Sequence, residues 1–133
     1  MADPAPPDQL GCGAHSDYGC ITLLLTDGTP GLLLLAADGV WHDVIAPPGS
    51  FIVNLGDMLA RWTNDRYRAT VHRVQSPVGR VRYSVPTLVN PSYDTVVECL
   101  PSCLAAGQLP KHSPMSSGAY LQSRFDETFA YRR

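Results

Sequence analysis

Short apolar runs broken by turn residues divide most of the chain. Ile21 to Leu25, interrupted by Thr22, reads as a strand ended by Asp27-Gly28 and Pro30-Gly31. Gly31 to Ala36 reads as the next, and its unbroken apolar stretch Leu32 to Leu35 predicts burial on both faces. Asp38-Gly39 is a hairpin turn signal leading into a strand from Val40 to Val44, which Pro47-Pro48-Gly49 closes. Ser50 to Asn54 follows, stopped by Gly56-Asp57, and Met58 to Trp62 reads as a short helical turn. Tyr67 to Val74 and Val81 to Val89, the latter ended by Asn90-Pro91, complete the strands. Strands this short, at this spacing, argue for a sandwich or barrel rather than a parallel α/β sheet.

The period changes near the C-terminus. Ser116 or Ser117 can cap a helix running to about Thr128. Leu121, Phe125 and Phe129 recur at four-residue steps and form one apolar stripe, expected to pack on the outside of the sheet, with closure over an active-site mouth as the alternative. The organisation expected is a Pro-rich segment over residues 1–10, a sheet core over 11–113 and a helical segment over 114–133.

Length and composition narrow the classes. A chain of 133 residues, 44% hydrophobic and 17% charged, fits one soluble domain with its own core. The formal charge of −2, with no basic block, points to neither nucleic acid nor an anionic membrane as partner. The longest apolar runs are far too short to span a bilayer, and the first ten residues lack the apolar stretch of a secretory signal. Cys12, Cys20, Cys99 and Cys103 are therefore expected as free thiols in a reducing, cytoplasmic setting. Cys99-x-x-x-Cys103 lacks a second pair at zinc-finger spacing, and Cys12 and Cys20 read as small packing residues.

The candidate chemistry lies in His15-Ser16-Asp17, His72 and Arg82-Tyr83-Ser84. Residues i and i+2 of a strand share a face, so His15 and Asp17 can reach one metal ion from one strand. His72 would come from a remote strand, which a jelly roll brings alongside. Two imidazoles and a carboxylate fill one face of an Fe(II) ion and leave the rest open to substrate and dioxygen. Arg82 and Ser84 can grip a carboxylate, the guanidinium in two places and the hydroxyl in a third, in the same cavity and deeper than the metal. His42 and His112 lack such partners and read as structural or surface residues.

With these residues go Gly13-Ala14-His15-Ser16-Asp17-Tyr18-Gly19, Pro30-Gly31-Leu32, Asn54-Leu55-Gly56-Asp57, Trp62 to Tyr67, Thr70 to Val74 and Arg82 to Pro86. Asn90-Pro91, Arg124-Phe125-Asp126 and Tyr131-Arg132 follow in order. In these segments the chain resembles the C-terminal half of the isopenicillin N synthase-like group of 2-oxoglutarate and Fe(II)-dependent oxygenases. The resemblance implies a mainly β, double-stranded β-helix (jelly roll), incomplete on its N-terminal side, with a C-terminal helix. It implies His15, Asp17 and His72 as iron ligands and as catalytic residues. Arg82 and Ser84 would hold the distal carboxylate of 2-oxoglutarate, whose keto acid end chelates the metal. The expected reaction consumes dioxygen and hydroxylates, desaturates or cyclises a small organic substrate, with succinate and carbon dioxide as co-products.

The family carries an earlier strand and a tyrosine near the co-substrate that have no counterpart here. Two alternatives stand beside the oxygenase: an incomplete fragment acting as a metal-binding or interaction domain, and an oxidase of the same family using no 2-oxoglutarate. Open sheet edges and uncovered apolar surface predict self-association, weak iron binding and little substrate oxidation by the isolated chain.

Overall fold

A computed structural model describes residues 10–77 and 79–130. The Pro-rich stretch 1–9 and the Tyr131-Arg132 pair lie outside the described residues. The elements run β1 (Leu10–His15), β2 (Ile21–Thr26), β3 (Leu32–Leu35), β4 (Trp41–Val44), β5 (Ile52–Leu55), α1 (Asp57–Trp62), β6 (His72–Gln75) and β7 (Ser84–Val89). The short β8 (Val96–Val97), a 3-10 turn (Pro101–Cys103), β9 (Met115–Ser116) and α2 (Ser117–Thr128) follow.

Two antiparallel sheets carry the fold. One has the order β1-β6-β3-β4 and the other β5-β2-β7. The chain passes back and forth between them, which makes β1 and β6 neighbours despite the long stretch of sequence between. This alternation is the jelly roll that the family resemblance implies, within the sandwich-or-barrel class that the strand spacing suggests. Leu32 and Leu33 are both buried although they point to opposite faces, as the unbroken apolar run requires. The β3–β4 hairpin turns at Asp38-Gly39, where Gly39 takes φ 81° and the Asp38 carboxylate accepts from the Val40 N–H.

Met58, Val97 and Tyr120 form a core cluster where α1, β8 and α2 meet, with Cys20, Trp62, Met115 and Leu121 packed around it. The Ser116 hydroxyl caps α2 by accepting from the Ala119 N–H. After α1, Asn64 and Asp65 both adopt left-handed backbone, with φ 53° and 61°. Their side chains repay that conformation by anchoring the far loop: Asn64 accepts from the Lys111 N–H, and Asp65 pairs with Lys111 and His112 at 3.0 Å each. His112 is thus structural, and His42 lies exposed on β4.

Three boundaries differ from the sequence expectation. β1 ends at His15, so Asp17 lies beyond the strand. The segment read as a strand from Tyr67 is one only from His72, because residues 63–67 are spent on the turn that follows α1. The last long strand begins at Ser84 instead of Val81, leaving Arg82 in the approach to it.

Candidate metal centre

The site is built where β1, β2, β5 and β6 converge. His15 closes β1 and lies opposite His72 at the start of β6 in the antiparallel register. Their ring centroids are 4.3 Å apart. Asp17 turns in from the loop after β1, and its Oδ1 lies 3.6 Å from His15 Nε2 and 3.7 Å from His72 Nε2. One potential ligand atom from each of the three residues falls within 4.8 Å of the others. Strand alternation is not what unites His15 and Asp17, since Asp17 has left the strand; a strand end and a folded loop do it instead.

Hydrogen bonds select which atoms face inward. His15 Nδ1 lies 2.8 Å from the Gly13 carbonyl and His72 Nδ1 lies 3.1 Å from the Thr70 carbonyl. A carbonyl only accepts, so each Nδ1 carries a proton, and in the neutral ring each Nε2 presents its lone pair to a metal. Asp17 Oδ2 accepts from the Thr22 hydroxyl and, at 2.7 Å, from Asn54 Nδ2, which leaves Oδ1 turned to the imidazoles. Burial raises the affinity of Asp17 for its proton, but these two bonds and the nearby His72 and His15 outweigh it and hold the carboxyl below its ordinary value. Two imidazole nitrogens and a carboxylate oxygen, each oriented by a further hydrogen bond, suit a divalent transition metal.

The loop carrying Asp17 is held from behind by α1. The Asp57 N–H donates to the Asp17 carbonyl at 2.8 Å, and the Met58 N–H donates to those of Tyr18 and Gly19. Ser16 donates to the Asp57 carboxylate. Such close backbone approach requires Gly56: a Cβ there would lie 2.2 Å from the Gly19 carbonyl oxygen and 2.8 Å from that of Asp17. Gly56→Ala should therefore cost about 1–3 kcal/mol of stability, as overpacking does elsewhere, and urea unfolding would measure it. An unchanged midpoint would mean that the loop shifts freely.

Thr22, Asn54, Ser16 and Asp57 are functional residues that the metal and carboxylate motifs do not signal. Thr22 and Asn54 carried a usable sign, because each is a polar residue inside an apolar strand. They pair across β2 and β5 and are 4% and 8% exposed, a buried polar rung aimed at Asp17.

Beside the triad opens a cavity of about 490 Å³, walled by His15, Asp17, Tyr18, Leu88, Leu121, Phe125 and Phe129 among others. The α2 stripe thus faces this cavity rather than resting on the outside of a sheet. Tyr18 explains the placement: its ring meets Phe125 edge-on at 6.1 Å, its hydroxyl bonds Thr128, and Arg124 lies over its face. Because Tyr18 directly follows Asp17, the loop that positions the carboxylate also pins the helix.

Arg82 and Ser84 come together as expected, with Arg82 Nη1 donating to Ser84 Oγ at 3.1 Å. Arg82 Nε donates to the Thr29 carbonyl, in a turn that Asp27 organises by accepting from the Thr29 and Tyr83 N–H groups. The pair lines a second cavity of about 310 Å³ with Gly11, Cys12, Val74, Ser76, Pro77 and Arg80. This cavity is distinct from the one beside His15; Ser84 stands exposed on the edge strand β7, and Arg82 is half-buried in the approach to it. The two are adjacent: Cys12 lines both, and it pairs with Val74 one step along the ladder from His15 and His72. Cys12 is accordingly no packing residue; it is exposed, with its Sγ 3.6 Å from His15 Nδ1. Cys99 and Cys103 are free thiols, and no third ligand joins them among the described residues. No helix among the described residues is long and apolar enough to cross a membrane.

Comparison with known proteins gives a consistent picture. The sequence pattern of the 2OG-Fe(II) oxygenase superfamily matches residues 2–91. The chain is 46% identical over 129 residues to the 2-oxoglutarate-Fe(II) type oxidoreductase hxnY of Emericella nidulans, covering 92% of this chain and 37% of that protein. It is 36% identical over 127 residues to azadirone synthase LFS of Melia azedarach, covering 92% and 38%. A full-length Neurospora crassa protein solved with alpha-KG and 5-formyluracil superposes with a TM-score of 0.84 at 37% identity, over 91% of this chain and 40% of that one. The chain thus spans between a third and a half of the length of the relatives it matches.

Proposed function

The chain belongs to the 2OG-Fe(II) oxygenase superfamily, and we propose that it carries the metal and co-substrate sites of a dioxygenase acting on a small organic molecule. The carrying observation is the convergence of His15 Nε2, Asp17 Oδ1 and His72 Nε2, each with its other polar atom already engaged. These three atoms would hold Fe(II). Arg82 and Ser84 would hold the remote carboxylate of 2-oxoglutarate, the guanidinium kept in place by Thr29 and Ser84. When bound together, iron and 2-oxoglutarate supply the activation of dioxygen that oxidises an unactivated C–H bond, with succinate and carbon dioxide released.

The residues of the chain position and shield. Gly13 and Thr70 fix the imidazole tautomers, and Thr22 and Asn54 keep Asp17 ionised and aimed. Leu88, Leu121, Phe125 and Phe129 wall the adjacent cavity with apolar surface, which suits the prime substrate and keeps water from the reacting face. Four free thiols among the described residues favour a reducing compartment, the cytoplasm being the simplest.

The test is equilibrium binding followed by product analysis. The protein should take up Mn(II) as a redox-silent stand-in, then 2-oxoglutarate, and His72→Ala should abolish the first step. Supplied with Fe(II) and dioxygen, any turnover should release succinate. Metal uptake without 2-oxoglutarate binding would instead favour a metal-binding domain or a co-substrate-independent oxidase. No metal uptake would end the oxygenase reading of this chain.

A further inference from the structure

The cavity lined by Arg82 and Ser84 is lined by a second arginine as well. Arg80 lines it from the turn after β6, across from Gly11 and Cys12 of β1, and Ser76 adds another hydroxyl. No carboxylate lines the cavity. Arg80 is exposed, and the ion pairs formed among the described residues do not include it. Arg82 is differently placed: Thr29 and Ser84 orient it, and the Asp27 carboxylate lies near enough to feel its charge.

The positive potentials of two arginines lining one small cavity add at any point between them. The arrangement is favourable when an anion with more than one accepting oxygen lies there, since each arginine can then donate to it. Arg82 is the fixed member. Arg80 sits on the solvent side, where an unpaired, long side chain can fold over a carboxylate already seated on Arg82 and Ser84.

We propose that Arg80 is a second recognition residue of this cavity, closing its outer side over the remote carboxylate of the co-substrate and setting the preference for 2-oxo diacids over 2-oxo monoacids. The inference rests on the reading that this cavity takes 2-oxoglutarate. Nothing in the R-x-S spacing signals Arg80; its lining of the same cavity does.

The experiment compares the Mn(II)-loaded protein with Arg80→Gln and Arg82→Gln by calorimetric titration. The ligands are 2-oxoglutarate and 2-oxopentanoate, which has the same carbon count and no remote carboxylate. Arg80→Gln should weaken 2-oxoglutarate binding ~3–5-fold, the scale of one partly exposed charge pair. It should also flatten the fall of that affinity with added salt. Affinity for 2-oxopentanoate should stay unchanged, and the thermal unfolding midpoint should match that of the unaltered chain. Equal affinity for 2-oxoglutarate in Arg80→Gln and the unaltered chain, with Arg82→Gln still defective, would overturn the role of Arg80 and leave the co-substrate reading standing. A parallel loss for both ligands would overturn it too, by showing a general disturbance of the site. If the unaltered chain takes up Mn(II) but binds 2-oxoglutarate no more tightly than 2-oxopentanoate, the co-substrate reading itself fails, and this inference with it.

Discussion

Asp17→Ala should lose metal binding almost completely, by well over the ~10–100-fold that changes to outlying supports of a metal ligand cost. Asp17 supplies the one negative charge of the triad, and its Oδ1 faces both imidazoles at 3.6 and 3.7 Å. Competition against a chelator under anaerobic conditions reads the loss directly. A second effect separates this change from His72→Ala. Thr22 and Asn54 are buried and donate to Asp17 Oδ2, so its removal strands two donors. Each stranded donor costs roughly 1–3 kcal/mol. Asp17→Ala should therefore unfold at lower urea even without metal. The acid dependence carries the matching sign. The Asp17 carboxyl is held below its ordinary value, so its contribution to stability is full above the unfolded-state pKa of about 3.9. It is lost as pH falls through the depressed folded-state value. The unaltered metal-free chain should show that acid loss, and Asp17→Ala should show a smaller one, since Asp27 and Asp65 are held low as well and remain. A variant that kept tight metal binding would remove Asp17 from the site.

How much of this was legible in the sequence varies with the physics of each element. Strands with buried faces declared themselves through Ile21–Thr26 and Leu32–Leu35, because burial writes an apolar pattern, and Trp41–Val44 through the Asp-Gly turn that leads into it. The C-terminal helix was readable from its cap and its four-residue stripe. Its destination was not, since a period shows which side chains share a face but not what that face meets. Tyr18, bonded to Thr128 and packed on Phe125, decides that, and nothing in its local sequence announces it.

β1 is the opposite case. Its residues are mostly exposed and glycine-rich, and its pairing with β6 is interrupted by register shifts on either side of Cys12. Alternation therefore says little there. His15 and Asp17 do converge as the H-x-D spacing suggests, but through a loop and not through a shared strand face. β8 and β9, two residues each, are too short to leave any period. Asn54-Leu55-Gly56-Asp57 reads in the sequence as a strand end, a turn and a family likeness, and the fold gives each of its polar and small residues a physical role. Asn54 bonds the Asp17 carboxylate, Gly56 admits the loop, and Asp57 bonds Ser16 and the Asp17 carbonyl.

The second large effect is association of the 133-residue chain. Thr22 and Asn54 point inward from the β5-β2-β7 sheet, so the residues between them point out. Leu23 faces Val53 across one ladder, and Leu25 faces Val85 across the other. Leu25, Val53 and Val85 are 43%, 54% and 60% exposed, which leaves a contiguous apolar patch on this sheet. Patches of this kind favour contact with another surface. The neighbouring edge is a weaker driver, because Pro86 lies within β7 and withholds one N–H from any added strand. The face, not the edge, should therefore control self-association. Sedimentation at micromolar concentration should give a mass above the 14.4 kDa of one chain. Val53→Lys with Val85→Lys should bring it down toward that value, since two charges on the face oppose its burial. Neither position touches the triad, so Mn(II) uptake should persist in the double variant. A chain already monomeric at these concentrations, or a double variant that still associates, would show that this face is not the sticking surface.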